Sequence, residues 1–154
     1  MEKTRSLKLK PIGTIHSPYK HRREAPYQGN RSEEISQIEL FKEFEEGLKD
    51  IEGFSHIIVI YWFHESQGYS LLVKTPWDDT LHGLFTTRSP YRPSPLGLTV
   101  AELIDRQKNI LTVKGLDALD GTPLLDIKPY VVPIDEKAGV KAGWFEGKLG
   151  KSRG

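Results

Sequence analysis

The longest uninterrupted apolar run of the chain, residues 57–63, constrains the fold more than any other segment. All of its side chains are β-branched or aromatic, which favours a strand buried on both faces. A membrane-spanning helix needs about 20 consecutive apolar residues, so this run is too short to cross a bilayer. The first residues are polar and basic, so we expect no secretory signal and no membrane association. We expect a soluble, cytoplasmic protein.

Shorter apolar segments recur along the chain and predict a protein built mainly from strands. A polar turn separates two of them and predicts a hairpin, and Asp120-Gly121 predicts a tight turn before the last one. Polar, turn-rich stretches between them are predicted loops. The other predicted strands are residues 7–15, 84–87, 98–104, 110–116 and 124–127, and the predicted loops include residues 20–34 and 68–80.

A single segment has the periodicity of an amphipathic helix. Its apolar side chains recur at intervals of three and four residues, and Gly53 ends the pattern. They are Leu40, Phe41, Phe44, Leu48 and Ile51. Strands and helices do not alternate, and no Gly-x-Gly-x-x-Gly motif is present, which argues against a Rossmann fold. We therefore predict a mainly β fold, a small β-barrel with one main helix.

The composition excludes several kinds of site. The chain has no cysteine, so it forms no disulfide, no iron–sulfur cluster, no cysteine-ligated zinc site and no thiol nucleophile. Its 5 histidines lack the spacing of metal ligands. The sequence therefore predicts no metal.

The small net charge of +1 hides two oppositely charged segments. Residues 1–31 contain eight Lys or Arg and two Glu, a net charge of +6. Residues 32–54 contain eight Asp or Glu and two Lys, a net charge of −6. Such a pair of segments indicates either affinity for nucleic acid or pairing within the chain or between subunits.

A proline-rich loop is the most unusual stretch of the sequence. Three prolines within residues 89–95 fix φ and stiffen the backbone around Arg88, Tyr91 and Arg92. Guanidinium groups beside an aromatic ring suit a carboxylate, a phosphate or a stacked base. The alternative is an ordinary proline-rich corner with solvated arginines.

Several motifs together resemble the TsaA-like family of S-adenosylmethionine-binding proteins, whose characterised members are tRNA (adenine-37-N6)-methyltransferases. The resemblance covers residues 12–130, most of the chain. Its motifs are IGTIHSPY at 12–19, PYQG at 26–29, GFSH at 53–56, HE at 64–65, TRSPYRPSPLGL at 87–98 and DGTPLLDIKPY at 120–130.

The resemblance implies a small, non-Rossmann β-barrel methyltransferase that works as a homodimer, with S-adenosylmethionine bound near the subunit interface. The implied reaction is methylation of N6 of threonylcarbamoyladenosine beside the anticodon of tRNA. We expect a barrel domain at residues 1–136 and a short C-terminal extension at residues 137–154.

The family motifs also imply candidate site residues. We assign Arg88 to the methionine carboxylate of the cofactor and Arg92, with Tyr91, to RNA, although the two arginines can exchange roles. Asp126, Lys128 and Tyr130 share one face of a predicted strand and either orient the nucleophilic nitrogen or form an ordinary cross-strand ion pair. The other cofactor candidates are Pro26, Tyr27, Gln28, His64, Glu65, Leu98, Asp120, Gly121, Thr122 and Pro123.

The chain departs from the family pattern in ways that leave a second function open. The family often has Pro-Arg-Gln where this chain has Pro26-Tyr27-Gln28, and Pro-Asn-Pro where it has Pro93-Ser94-Pro95. Bacterial relatives also carry a longer C-terminal extension. These differences are compatible with a non-catalytic S-adenosylmethionine-binding module, either a sensor or an accessory subunit.

Overall fold

A computed structural model describes residues 5–21 and 33–148 of the chain. The chain divides into two compact units. The first comprises Met1–Tyr69 and Pro90–Tyr130, and the second comprises Ser70–Ser89 and Val131–Gly154. The boundary that we expected after residue 136 stays a prediction.

Strands dominate the described residues. They are β1 (Gly13–His16), β2 (Ile35–Leu40), β3 (His56–Trp62), β4 (Leu72–Thr75), β5 (Asp78–Gly83), β6 (Leu96–Gln107), β7 (Ile110–Lys114) and β8 (Thr122–Pro129). Six of these strands close into an antiparallel barrel with the order β1-β2-β7-β6-β3-β8, and β4 and β5 form a separate hairpin. The predicted mainly β fold with a small barrel is therefore confirmed.

The core of the first unit lies inside the barrel. In β3, Ile57, Val59 and Tyr61 are buried, whereas Ile58 and Ile60 between them are partly exposed. The expectation that this strand is buried on both faces was wrong, because a barrel wall is a single layer whose outer side chains face away from the core. The same alternation in β2 and β7 fills the interior with aliphatic side chains.

Antiparallel pairing gives the barrel two ends. We call the end where β3 stops at Trp62 and β8 begins at Thr122 the upper end. The same end holds the residues that follow β1 and β7 and those that precede β6. The predicted hairpin is confirmed as β6 and β7, and the predicted Asp120-Gly121 turn leads into β8.

The helical segment differs from the expected amphipathic helix. Leu40 ends β2 and exchanges hydrogen bonds with Asn109, so it belongs to the sheet. Two 3-10 helices follow, Lys42–Leu48 and Ile51–Gly53. Asp50 separates them with a left-handed backbone, φ 75°, which no continuous helix accommodates. The apolar spacing therefore located the main helical segment but not its type.

Further elements were predicted wrongly, and of the strand expected at residues 7–15 only residues 13–15 lie in β1. β2 was overlooked although Ser36, Ile38 and Leu40 alternate inward, and the β4–β5 hairpin lies partly in a predicted loop. Residues 84–87 form a 3-10 helix, Leu84–Thr86, in place of a strand. The Thr86 hydroxyl donates to the Gly83 carbonyl at 2.8 Å, which closes this turn.

The second unit combines the β4–β5 hairpin with the chain after β8. A short α-helix, α1 (Val132–Asp135), and a 3-10 turn, Gly143–Phe145, belong to that later chain. Trp144 of the 3-10 turn stacks on His82 of β5 with ring centroids 3.8 Å apart. Among the described residues, no helix combines the length and apolar character that crossing a membrane requires.

Candidate functional site

A cavity of about 130 Å³ opens at the upper end of the barrel. Residues just after β3, the turn before β8 and one residue of the proline-rich loop form its walls. The lining combines aromatic, polar and aliphatic side chains. It consists of Tyr61, Phe63, His64, Glu65, Ser66, Tyr91, Ala118, Leu119 and Thr122.

A buried hydrogen-bond network supports this cavity from below. The Tyr61 hydroxyl donates to Asp117 Oδ1 at 2.7 Å, and the Thr99 hydroxyl donates to the same oxygen at 3.2 Å. The two hydroxyl oxygens lie 2.9 Å apart. All three residues are buried, and a buried carboxylate requires such donors. The network therefore fixes the Tyr61 ring against the cavity.

β1 and the residues after it are hydrogen-bonded to the turn at residues 118–122, which lines the cavity. The Ser17 hydroxyl donates to the Ala118 carbonyl at 2.7 Å, and Gly121 N–H donates to the Ile15 carbonyl at 2.8 Å. Within the turn, the Thr122 hydroxyl donates to the Leu119 carbonyl at 2.6 Å. These bonds fix the backbone beside the cavity.

Asp120 completes this attachment as an anion. Its Oδ1 accepts the Ser17 backbone N–H at 3.0 Å, and its Oδ2 pairs with Lys20 Nζ at 2.8 Å. The hydrogen bond from Lys20, followed by that from Ser17, lowers the pKa of the Asp120 carboxyl. Asp120 thus serves mainly to secure the turn.

Gly97 gives the Tyr61 ring its space. A Cβ atom at Gly97 would lie 2.6 Å from Tyr61 Cζ and 2.9 Å from Phe63 Cζ. Both rings line the cavity, so glycine at this position is part of the cavity's construction.

The family model that describes the tRNA-methyltransferase O N-terminal domain matches residues 14–136, which contain every residue of this cavity. The chain belongs to this family. Membership confirms the resemblance that the sequence motifs carry.

Relatives of the tRNA-methyltransferase O family match most of this chain. A probable S-adenosyl-L-methionine-binding protein of Archaeoglobus fulgidus is 53% identical over 140 residues, 91% of this chain and 38% of that protein. One of Pyrococcus abyssi is 49% identical, covering 92% of this chain and 78% of its own. The tRNA (adenine(37)-N6)-methyltransferase of Escherichia coli is 33% identical, covering 82% and 58%.

Solved structures of the same family share the fold. The crystal structure of TrmO from Pseudomonas aeruginosa has a TM-score of 0.78 and 32% identity, over 92% of this chain and 63% of that one. The chain therefore spans less than two thirds of this structure and of the Archaeoglobus fulgidus relative.

Four of the predicted site residues meet at the cavity. They are His64, Glu65, Thr122 and Tyr91, the last of which we assigned to RNA. Asp120 and Gly121 lie in the turn between the lining residues Leu119 and Thr122. Their contacts with a ligand stay predictions.

Other predicted contacts lie elsewhere. Leu98 points outward from β6, half exposed, opposite Ile60, and Pro123 pairs with Thr14 of β1. Arg92 is partly buried in the first unit, whereas Arg88 is exposed in the second. Pro26, Tyr27 and Gln28 lie outside the described residues.

The candidate catalytic residues lie further down β8. At about 3.3 Å per residue, Asp126 stands roughly 13 Å along the strand from Thr122. Lys128 Nζ pairs with Asp126 Oδ2 at 3.0 Å within the strand, so this ion pair is not the cross-strand pair that the sequence analysis allowed. Tyr130 packs edge-on against His56 near the lower end. None of the three lines the upper cavity.

Sequence reasoning overlooked the cavity floor. Tyr61 and Phe63 were assigned only to a buried strand, and Asp117 was not singled out. An acid directly after an apolar strand, in Gly115-Leu116-Asp117, was the available signal, since a buried carboxylate indicates a polar network. Among the described residues, no group of three or more His, Asp or Glu side chains could hold a metal ion.

The cavity has room for one part of a nucleoside ligand. Cavities for drug-sized ligands measure about 300–1,000 Å³. A cavity of about 150 Å³ accommodates a benzene molecule, so 130 Å³ corresponds to roughly one ring. Phe63 and Tyr91 supply aromatic rings to the lining, and Glu65 and Thr122 supply hydrogen-bonding oxygens, which together suit one ring of a purine.

Proposed function

We propose that this chain is an S-adenosylmethionine-dependent methyltransferase that acts on N6 of threonylcarbamoyladenosine at position 37 of tRNA. The observation that carries the proposal is the upper cavity. Segments that are distant in sequence, residues 64–66, Tyr91 and residues 118–122, converge there, and three of the family motifs supply them. Relatives named as S-adenosyl-L-methionine-binding proteins and as tRNA (adenine(37)-N6)-methyltransferases support the same assignment.

The lining supports a cofactor whose adenine enters the cavity. Phe63 and Tyr91 would pack against the part of the purine that enters, and Glu65 or Thr122 would accept hydrogen bonds at its edge, because the Thr122 hydroxyl already donates to the Leu119 carbonyl. The remainder of the cofactor is larger than this cavity, so it requires further walls. The motif residues Pro26, Tyr27 and Gln28 and a second copy of the chain are the proposed sources of those walls.

The chemistry asks mainly for positioning. The bound cofactor supplies a sulfonium methyl group, an electrophile with a good leaving group. The chain's contribution is to hold the acceptor nitrogen in line and to exclude water, which in model reactions gives effective molarities of about 10⁵–10⁸ M. The acceptor is a urea-type nitrogen, so removal of its proton assists attack.

Charge supports an RNA substrate. Acids of residues 32–54 pair with cations of the barrel wall, Glu33 with Lys114 at 2.9 Å and Glu52 with Arg106 at 3.3 Å. Arg5, Lys8 and Lys10 of the basic segment are exposed. The two charged segments also meet, because His16 Nε2 lies 3.0 Å from Glu39 Oε1, so the exposed Arg5, Lys8 and Lys10 are the observation that supports phosphate binding.

We propose a homodimer whose subunits meet on the outer face of β3 and β6. Cross-strand pairs there place Trp62 beside Leu96, Ile60 beside Leu98 and Ile58 beside Val100. The outer side of a barrel in water is ordinarily polar, so a continuous apolar stripe indicates a contact surface. The stripe ends at Trp62, next to the cavity residues Phe63 and His64, so a partner would help to enclose the cofactor. Such an enzyme belongs in the cytoplasm.

The decisive experiment incubates the purified chain with methyl-labelled S-adenosylmethionine and tRNA carrying threonylcarbamoyladenosine. We expect label in the modified adenosine, and none in matched tRNA lacking the threonylcarbamoyl group. Label in both tRNAs would contradict the substrate assignment while preserving the enzyme class. Cofactor binding without label in either tRNA, at low and moderate salt, would contradict the enzyme assignment.

A non-catalytic S-adenosylmethionine-binding module is the second candidate. The observation that favours it is that the Archaeoglobus fulgidus and Pyrococcus abyssi relatives are named for S-adenosyl-L-methionine binding alone. Calorimetry separates the two, because a module binds the cofactor but not tRNA at low salt.

A further inference from the structure

Residues 84–89, which we call the Arg88 loop, are hydrogen-bonded to the 3-10 turn Gly143–Phe145 through the indole of Trp144. Trp144 Nε1 donates to the Thr86 carbonyl at 3.1 Å and to the Thr86 hydroxyl at 3.0 Å. Thr86 stands two residues before Arg88 in the same unit. A single side chain thus contacts both the backbone and the side chain of one residue of the loop.

The indole is itself held in place. It stacks between His82, at 3.8 Å, and Phe145, at 3.9 Å between ring centroids. His82 in turn hydrogen-bonds Asp78 Oδ1 at 2.9 Å, and Lys148 Nζ reaches Asp78 Oδ2 at 2.6 Å. The 3-10 turn therefore contacts the β4–β5 hairpin at Trp144, and the chain contacts it again at Lys148.

The loop backbone continues this chain of contacts towards Arg88. The Thr87 hydroxyl donates to the Leu84 carbonyl at 2.8 Å and accepts the Ser89 N–H at 3.4 Å. Arg88 lies between these two residues and its side chain is exposed. Ordering the backbone at Thr87 and Ser89 therefore orders the point from which the Arg88 side chain extends.

We propose that Trp144 is a positioning residue that fixes the Arg88 loop for binding of the cofactor's carboxylate. This inference rests on the proposed function, and it assigns a role to the segment that sequence reasoning treated only as a short extension. The physical basis is preorganisation: a loop ordered before binding does not lose that freedom when the ligand arrives.

The test compares two ligands that differ in the amino-acid group. S-adenosylhomocysteine carries the ammonium and carboxylate groups of homocysteine, and 5′-methylthioadenosine has the same adenosine and a thioether without either; of the two missing groups, only the carboxylate can pair with Arg88. Trp144→Phe keeps an aromatic ring for the stack and removes the N–H donor. We expect it to weaken S-adenosylhomocysteine about three- to tenfold, the range of one or two net hydrogen bonds, and to leave 5′-methylthioadenosine unchanged.

A double-mutant cycle separates positioning from general destabilisation. If Trp144 acts through Arg88, Trp144→Phe adds no further loss in an Arg88→Ala background. Trp77→Phe is the matched control, because it makes the same change in a neighbouring ring of the cluster, 6.2 Å from Trp144. We expect this control to leave both affinities near those of the parent. Additive losses, or equal weakening of both ligands, would overturn the proposal.

Amide hydrogen exchange on the ligand-free chain tests the loop directly. We expect residues 84–89 to exchange faster in Trp144→Phe, and to a smaller degree in Thr86→Val, which removes only the hydroxyl acceptor. Unchanged exchange in both variants would refute loop fixation even if the cofactor binds. A parent chain that binds neither ligand would instead contradict the proposed function, and with it the cofactor role of Arg88.

Discussion

Gly97→Ala is the substitution whose effect follows most directly from the geometry. The added methyl would lie 2.6 Å from Tyr61 Cζ and 2.9 Å from Phe63 Cζ, closer than carbon atoms approach without displacement. The Tyr61 ring is buried and its hydroxyl is bonded to Asp117, so it cannot swing into solvent. The ring must therefore shift within the barrel, and the Tyr61–Asp117 bond must stretch or break.

The expected cost has two parts. Forcing one extra carbon into a packed core costs about 1–3 kcal/mol. Weakening a buried hydrogen bond to a charged group costs about 1.5–3 kcal/mol when the bond is lost, and less when it only lengthens. We expect a loss of about 2–4 kcal/mol in the free energy of unfolding. For a chain of this length, that corresponds to a fall in Tm of roughly 5–15 °C.

Thermal and denaturant unfolding measure this loss, with Gly53→Ala as the matched control. A Cβ atom at Gly53 would meet nothing within 4 Å, and its backbone does not have a positive φ. We expect the control to be neutral or slightly stabilising, by up to about 1 kcal/mol. Cofactor affinity should fall in Gly97→Ala alone, because both displaced rings line the cavity. If Gly97→Ala is as stable as the control, the assigned role of Gly97 is wrong.

Three further predictions concern single side chains. Arg88→Ala should weaken the binding of S-adenosylmethionine about ten- to hundredfold in calorimetry without changing the fold, since a charge-assisted hydrogen bond contributes about 1.5–3 kcal/mol. Unchanged affinity would contradict the cofactor role of Arg88 and favour a role in RNA binding. Ser36→Ala should raise the free energy of unfolding by about 1 kcal/mol in denaturant titration, because the buried Ser36 hydroxyl has no hydrogen-bond partner among the described residues; a loss would show that it has one. The hydrogen bond from Lys148, with a further contribution from His82, lowers the pKa of the Asp78 carboxyl from 3.8 to about 2. The stability that ionised Asp78 contributes is therefore fully present above pH 3.8 and is lost as the pH falls towards 2. Between pH 5 and pH 2.5 the parent should therefore lose more thermal stability than Asp78→Asn, and equal losses would contradict the assignment.

The sequence predicted those elements whose pattern reflects burial on one side. The β6–β7 hairpin has long apolar alternation around a polar turn, and both features are local. β2 was hidden because Leu40 and Phe41 also fit the apolar spacing of the following helical segment. Only the pairing of β2 with β1 and β7, which is not local, assigns Leu40 to the sheet.

The site was predictable in part for the same reason. His64, Glu65 and Thr122 belong to motifs, so the resemblance located them. Tyr61 and Phe63 gave no local signal, because a buried strand and a cavity wall have the same composition. Which end of a strand faces a cavity depends on the closure of the barrel, and sequence spacing does not contain that information.

The family motifs therefore include residues that build the cavity as well as residues that line it and could contact a ligand. In the segment at residues 12–19, Ile15 and Ser17 do not line the cavity, yet both form hydrogen bonds with the turn at residues 118–122 that lines it. Gly97 likewise contacts no part of the cavity but leaves room for Tyr61. Substitutions at such positions should change cofactor affinity and stability together, whereas substitutions at exposed lining residues such as Glu65 should change affinity alone. That difference separates the residues that build the cavity from those that contact a ligand.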